Sequence, residues 1–191
     1  MLSCPPSAPR RARAARPPPS SAASRAARNR STMTASPDPE HMRRAIALAR
    51  DGVRTNQGGP FGAVVVRDGA VIGEGQNRVT SCADPTAHAE VVAIRAACHA
   101  LGTHSLAGCE LYASCEPCPM CLAALYWARI DRIWIACTRT DAEAIGFDDE
   151  HFYEELALPP AERELPMGRL LRDEGLEAFR DWEAKADKVR Y

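Results

Sequence analysis

No apolar run in this sequence of 191 residues approaches the roughly 20 residues that a membrane-spanning helix requires. No apolar core of a signal peptide is visible either, so we expect a soluble protein of the cytoplasm, without a membrane partner. Internal repeats are also lacking. Apolar residues make up 46% of the chain, which is enough for one well-buried core, and a single folded domain is therefore expected.

Lysine and acidic residues are absent from residues 1–37, whose only charged side chains are seven arginines. The whole chain has a net charge of −1, so taking these seven positive charges away leaves −8 for the remainder. A protein that grips an RNA backbone usually presents a basic face to the phosphates. The acidic body therefore favours a small-molecule substrate, and no nucleic-acid partner is expected.

Residues 1–37 consist mainly of Ala, Arg, Pro and Ser and contain little that could be buried, so we predict a disordered tail. Its arginine-rich, acid-free composition also fits an organellar transit peptide. The interpretation that we favour is a mis-assigned start, with Met33 as the true first residue. The folded domain is predicted to cover residues 38–191.

Helical and strand patterns alternate along this domain. Apolar spacing predicts helices near residues 39–52, 87–102, 118–128, 148–158 and 174–188. Short apolar runs predict strands at 63–66, 70–72, 110–113 and 130–136, and Asp68-Gly69 between the first two is a strong hairpin signal. This alternation predicts an α/β fold with three α/β/α layers around a mixed central sheet.

The eight cysteines are unevenly distributed, because Cys115, Cys118 and Cys121 fall within seven residues. Clustered cysteines downstream of a His-x-Glu motif indicate metal binding rather than a disulfide framework. His88 and the pair Cys118 and Cys121 can close on a single Zn²⁺, so we expect one zinc ion per subunit. The two cysteines are spaced i, i+3 in the first turn of a predicted helix, where Pro117 is well tolerated and the positive helix end favours thiolates.

Glu90 lies two residues after the predicted histidine ligand. The pattern H-x-E followed by P-C-x-x-C is the signature of zinc-dependent nucleobase deaminases. Three ligands leave the fourth zinc position for water, and Glu90 is predicted to move that water's proton to a ring nitrogen as ammonia leaves. The alternative is a closed structural site with Cys115 as the fourth ligand. Such a site would not need Glu90, so we favour the catalytic interpretation.

Several segments extend this pattern into a family resemblance. They are Gly58-Gly59-Pro60-Phe61-Gly62-Ala63, Asp84-Pro85-Thr86-Ala87-His88-Ala89-Glu90, Ser114-Cys115-Glu116-Pro117-Cys118-Pro119-Met120-Cys121, Tyr126-Trp127-Ala128-Arg129 and Gly146-Phe147-Asp148-Asp149. Together they closely resemble the bacterial guanine deaminases of the cytidine-deaminase-like superfamily, from about residue 41 to Tyr191. The metal motifs are common to the superfamily, whereas residues 146–149 and the terminal Tyr191 indicate this branch.

The resemblance implies hydrolysis of guanine to xanthine and ammonia in purine catabolism, by a homodimer that exchanges its C-terminal segments. It implies that Asp149 contacts the amine and relays a second proton. The substrate-binding residues that it implies are Phe61, Asn77, Ala89, Trp127 and Tyr191, the last contributed by the partner subunit.

Ordinary structural roles remain open for several of these residues. Phe61 could anchor the core, Asn77 could complete a turn, and Trp127 on an Ala-rich helix could be buried. The alternative substrates are guanosine, cytosine and other amino-heterocycles, or the wobble adenosine of tRNA. A tRNA deaminase should carry a basic last helix, but residues 174–191 hold four basic and five acidic side chains.

Overall fold

The computed structural model describes residues 36–189, so the predictions for residues 1–35 and for Tyr191 lie outside the described residues. Its helices are α1 (Pro39–Arg54), α2 (Val79–Cys82), α3 (Ala89–Leu101), α4 (Pro119–Ala128), α5 (Arg139–Glu143), α6 (Asp149–Ala157) and α7 (Arg172–Ala184). Its strands are β1 (Gly62–Arg67), β2 (Ala70–Gln76), β3 (Cys109–Cys115) and β4 (Arg132–Cys137). The five predicted helices and four predicted strands are all present, and the short helices α2 and α5 are additional.

The four strands form one mixed sheet in the order β2-β1-β3-β4. Strand β1 is antiparallel to both of its neighbours, whereas β3 and β4 are parallel. In the predicted hairpin between β1 and β2, Asp68 and Gly69 both have positive φ, at 51° and 77°. Such turns suit the right-handed twist of the flanking strands, which explains why Asp-Gly identified this hairpin correctly.

The two faces of the sheet are covered by different helices. Successive side chains of a strand point to opposite faces, so β1 and β3 contribute to two apolar clusters. One cluster, under α1, contains Ala45, Val64, Val66 and Tyr112. The other, under α3 and α4, includes Val65, Ala93, Leu111 and Leu125. The expected three-layer α/β/α fold with a mixed sheet is therefore confirmed.

Glycines in β2 bring α3 unusually close to the sheet. A Cβ atom on Gly73 would lie 2.6 Å from the carbonyl oxygen of Ala93 and 2.7 Å from the amide nitrogen of Ala97. Gly75 likewise packs against the backbone of α3, beside the carbonyl oxygen of Ala89. Only residues without a side chain permit this approach, which sets the position of the first turn of α3 on the sheet.

The start of α4 differs from the sequence prediction. Cys118 is the N-cap, and Pro119 rather than Pro117 occupies the first turn. Proline suits this position because its missing N–H would have no partner within the helix. Pro117 consequently lies in the loop before the helix, where its carbonyl oxygen accepts a hydrogen bond from Tyr153.

The C-terminal part of the chain is extensively exposed. Apart from Leu176, every residue from 164 to 187 is exposed, including Phe179 (71%) and Trp182 (44%) on α7. None of the helices within residues 36–189 is both long enough and apolar enough to cross a membrane.

The close packing of α3 on β2 predicts the effect of adding a single methyl group. Gly73→Ala should force the helix and strand apart and lower the free energy of unfolding by about 2–3 kcal/mol, as overpacking a core does. Denaturant-induced unfolding followed by circular dichroism would measure this. Gly168→Ala is the matched control, because no atom lies within 4 Å of the added Cβ there. Equal stability of the two variants would contradict the prediction.

Candidate metal centre

The three predicted metal ligands meet at the starts of two helices. His88 is the N-cap of α3, Cys118 is the N-cap of α4, and Cys121 lies in the first turn of α4. The Nδ1 atom of His88 is 3.6 Å from Sγ of Cys118 and 3.5 Å from Sγ of Cys121. All three ligand atoms lie within 4.8 Å of one another. Two helix starts from distant parts of the chain thus form one cluster.

The spacing of these atoms fits a tetrahedral zinc ion. Zn–N bonds of about 2.0–2.1 Å and Zn–S bonds of about 2.3 Å at a tetrahedral angle place N and S about 3.6 Å apart. The two observed N···S distances match that value. Two thiols and an imidazole are also a donor set that zinc prefers. The hydrogen bond between the two thiols lowers the pKa of Cys118, which favours its thiolate, and raises the pKa of Cys121.

Cys115 is not part of this cluster, which among residues 36–189 contains His88, Cys118 and Cys121. Its thiol lies at the end of β3 and donates a hydrogen bond to the carbonyl oxygen of Thr138 over 3.3 Å. Burial raises the pKa of Cys115 to about 12, so its thiol is neutral near physiological pH. This geometry favours a site with three protein ligands over the closed four-ligand alternative.

Glu90 lies beside the ligands and is almost completely buried, with 7% of its surface exposed. The thiol of Cys121 donates to its Oε2 atom over 3.5 Å. Burial raises the pKa of Glu90 to about 7, because the charged carboxylate is poorly solvated there. A carboxyl group that can gain or lose a proton near neutral pH has the property that proton transfer requires.

A second carboxyl group, on α6, interacts electrostatically with the metal ligands. Asp149 is the first residue of that helix and is half-buried, whereas the preceding Asp148 is exposed. Burial raises the pKa of Asp149, and the negative charge of Cys118 raises it further. Conversely, the negative charge of Asp149 contributes to raising the pKa of His88, after larger contributions from Cys118.

Asn77 fulfils the structural role that is usual for asparagine at a strand end. Its side chain is buried, and its Oδ1 atom accepts hydrogen bonds from the backbone amides of Gly59 and Val79, each over 3.2 Å. These bonds engage the oxygen of the carboxamide, whose Nδ2 group is a donor. The predicted contact with substrate is compatible with the turn-forming role.

The three other described residues predicted to bind substrate occupy different environments. Phe61 packs against the core and meets the ring of Phe147 edge to face, with centroids 4.7 Å apart. Ala89 is buried in the first turn of α3. Trp127 is 61% exposed on α4, with the guanidinium of Arg129 over its ring, so its alternative as a core residue is wrong.

Two residues that contact segments of the predicted site had no role in the sequence analysis. Phe147, whose ring meets that of Phe61 edge to face, lay within a segment used for the family resemblance but without an assigned function. The hydroxyl of Tyr153 donates to the carbonyl oxygen of Pro117 over 2.9 Å. In the sequence, the position of Tyr153 four residues after Asp149 could have indicated that it lies beside the site, because residues at i and i+4 share a helix face.

Comparison with known protein families identifies the same region. The family model described as the cytidine and deoxycytidylate deaminase zinc-binding region matches residues 35–137. This range contains all three predicted metal ligands and Glu90.

Individual relatives extend the similarity beyond that region. Guanine deaminase of Bacillus subtilis is 52% identical over 150 residues, covering 78% of this chain and 96% of the relative. A crystal structure of guanine deaminase from Bacillus subtilis superposes with a TM-score of 0.79 at 50% identity, covering 82% of this chain and 99% of that one. A tRNA-specific adenosine deaminase of Aquifex aeolicus is 49% identical over 74 residues, covering 39% of this chain and 49% of the relative.

The separation of Cys115 from the ligand cluster predicts opposite effects for two serine substitutions. Loss of a group that only hydrogen-bonds to a metal ligand already weakens metal binding by about 10–100-fold, so replacing the ligand itself in Cys121→Ser should weaken zinc binding by about 100-fold or more. Cys115→Ser is the matched control and should retain about one zinc per chain, because a serine hydroxyl can also donate to Thr138. Elemental analysis after dialysis against graded chelator would measure both. Zinc loss from Cys115→Ser would support the closed site instead.

Proposed function

Because this chain belongs to the cytidine and deoxycytidylate deaminase zinc-binding family, we propose that it hydrolyses guanine to xanthine and ammonia in purine catabolism. The observation that carries the proposal is the buried Glu90 beside one imidazole and two thiols at zinc-ligand spacing. The likeness to guanine deaminase along almost the whole length of that protein supports guanine as the substrate.

The metal would be held by His88, Cys118 and Cys121. Three protein ligands are typical of catalytic zinc sites, whereas structural sites have four. When bound, zinc supplies a Lewis acid that makes water a competent nucleophile at neutral pH. We place the reaction in the cytoplasm, where reducing conditions keep the two cysteines available as ligands.

Glu90 would carry the first of two protons that the reaction must move. Hydrolysis adds water to the ring carbon that bears the amine and releases that amine as ammonia, so one proton of the water passes to a ring nitrogen and the other to the departing amine. The carboxylate of Glu90 takes the first proton as the new C–O bond forms and delivers it to a ring nitrogen. Asp149 on α6 would contact the amine and relay the second proton from the new hydroxyl to it, as the C–N bond breaks and the carbonyl forms.

Substrate recognition would combine apolar contact with a directed hydrogen bond. The edge-to-face pair of Phe61 and Phe147 offers aromatic surface to a flat purine. Asn77, whose oxygen is committed to Gly59 and Val79, would donate from Nδ2 to an acceptor of the ring. Ala89, after the histidine ligand, would permit close approach of the substrate.

A homodimer with exchanged C-terminal segments would complete the site. Phe179 and Trp182 on α7 are exposed, as are Ile135 on the edge strand β4 and Trp127 on α4. Apolar surface of this extent suits contact with a second copy of the chain. In this arrangement Tyr191 of the partner subunit would close the pocket, and Trp127 would line it.

Substitution of Glu90 tests the chemistry directly. Glu90→Gln should reduce ammonia release from guanine by about 10²–10⁴-fold, the usual contribution of a general acid–base group. Zinc content should stay at about one per chain, because the substitution leaves the three ligands in place. Turnover can be followed by the appearance of xanthine in the ultraviolet spectrum.

The wild-type protein supplies the control for substrate identity. Conversion of adenosine in an anticodon stem-loop, without turnover of guanine, would contradict the proposed substrate and support a tRNA deaminase. Full activity of Glu90→Gln on guanine would contradict the proposed role of Glu90.

Removal of the last residue tests the exchanged tail. A chain that ends at Arg190 should turn over guanine at least about tenfold more slowly, because the pocket would lose a wall, while zinc content and circular dichroism stay unchanged. Mixing this truncated chain with Glu90→Gln should restore part of the activity, since a hybrid dimer would contain one active site with both Glu90 and the partner's tyrosine. Full activity of the truncated chain, or a monomeric mass by light scattering, would contradict the model.

A further inference from the structure

Helix α6 carries Asp149 but has little apolar packing of its own. None of the residues Asp149–Ala157 is fully buried, and Phe152 and Leu156 are 47% and 56% exposed. A helix without a buried apolar stripe must be held in place by other contacts. The contacts that position α6 therefore also determine where the carboxyl group of Asp149 lies.

One polar contact of α6 is made one helical turn after Asp149. Tyr153 is half-buried and lies on the same face of α6, because residues at i and i+4 are neighbours on a helix surface. Its hydroxyl donates a hydrogen bond to the carbonyl oxygen of Pro117 over 2.9 Å. Pro117 is the residue before Cys118, so this bond joins α6 to the loop that presents a metal ligand.

Arg139 at the start of α5 reinforces the same junction. Its guanidinium lies 4.7 Å from the centre of the Tyr153 ring, and its Nε atom is 2.6 Å from Oε2 of Glu150 on α6. Its backbone amide donates to Oε2 of Glu116 over 3.1 Å, and Glu116 belongs to the metal loop. Arg139 therefore orders the ring whose hydroxyl reaches Pro117.

We propose that Tyr153 is a positioning residue, whose hydrogen bond to Pro117 sets the distance between the carboxyl group of Asp149 and the loop that carries Cys118. The inference rests on the proposed function, because it acts through the proton relay assigned to Asp149. Tyr153 itself does not touch the reacting atoms. Its hydroxyl holds α6 in place, so that the carboxyl group of Asp149 keeps its position relative to the metal loop while the substrate is converted.

Tyr153→Phe is the decisive variant, since it removes the hydroxyl and keeps the ring beneath Arg139. The loss of this half-buried hydrogen bond should lower kcat on guanine about five- to tenfold. KM and zinc content should change less than about twofold, because the ligands and the aromatic pair of Phe61 and Phe147 remain in place. A shift in KM alone, with kcat unchanged, would overturn the proposal.

Tyr112→Phe is the matched control for a merely structural tyrosine. The hydroxyl of Tyr112 also bonds to backbone, accepting from the amide of Asp38, and it donates to Glu110 over 3.4 Å, but it belongs to the cluster under α1, on the other face of the sheet from α3 and α4. Both variants should lose similar thermal stability, and only Tyr153→Phe should lose kcat. Equal losses of kcat in the two variants would overturn the positioning role.

A double-mutant cycle with Asp149→Asn tests whether Tyr153 acts through Asp149. If it does, adding Tyr153→Phe to Asp149→Asn should lower kcat less than about twofold further, because the group being positioned is already disabled. Full additivity of the two effects would overturn the proposal. A normal kcat in Asp149→Asn alone would instead remove Asp149 from the proposed mechanism, and the positioning role with it.

Hydrogen exchange gives a readout that does not depend on activity. Amides of residues 149–157 should exchange several-fold faster in Tyr153→Phe than in the wild-type chain, and at the wild-type rate in Tyr112→Phe. Unchanged exchange in Tyr153→Phe would overturn the proposal. A wild-type protein that is inactive on guanine, with this exchange pattern intact, would refute the proposed function while supporting the junction between α6 and the metal loop.

Discussion

The close contact between α3 and β2 is the constraint on which the rest of the centre depends. Gly73 and Gly75 let the helix backbone rest directly on the strand, at distances that any side chain would prevent. This contact holds the start of α3 against the sheet. There His88 lies beside Cys118, and Glu90 lies beside Cys121. The metal site is thus a consequence of helix–sheet packing, because its ligands come from two helix starts that are thirty residues apart.

Burial of Glu90 is the energetic counterpart of this packing. Placing a carboxyl group in a poorly solvated position destabilises its charged form, which is why burial raises its pKa to about 7. The same environment strengthens electrostatic interactions with a reacting group, since little water is present to screen them. Burial of the Glu90 carboxyl group therefore costs folding free energy, and it produces the raised pKa that proton transfer requires.

The second carboxyl group is held by a different kind of interaction. Glu90 is positioned by a helix that belongs to the main core, whereas Asp149 belongs to a helix that buries no residue fully. Polar contacts through Tyr153 and Arg139 join that helix to the metal loop. The centre therefore combines a rigid half, built on the sheet, with a half whose geometry depends on a few hydrogen bonds and one cation–π contact.

The sequence alone determined the fold class, the hairpin and the zinc chemistry, because each depends on local pattern: apolar periodicity, Asp-Gly between two strands, and ligand types at short spacing. It did not determine that Cys115 bonds to Thr138, that Trp127 is exposed, or that Pro119 begins α4. It also left the junction between Tyr153 and Pro117 unseen. Those features depend on contacts between residues distant in the chain, and only the packing of helices on the sheet decides which of these residues meet.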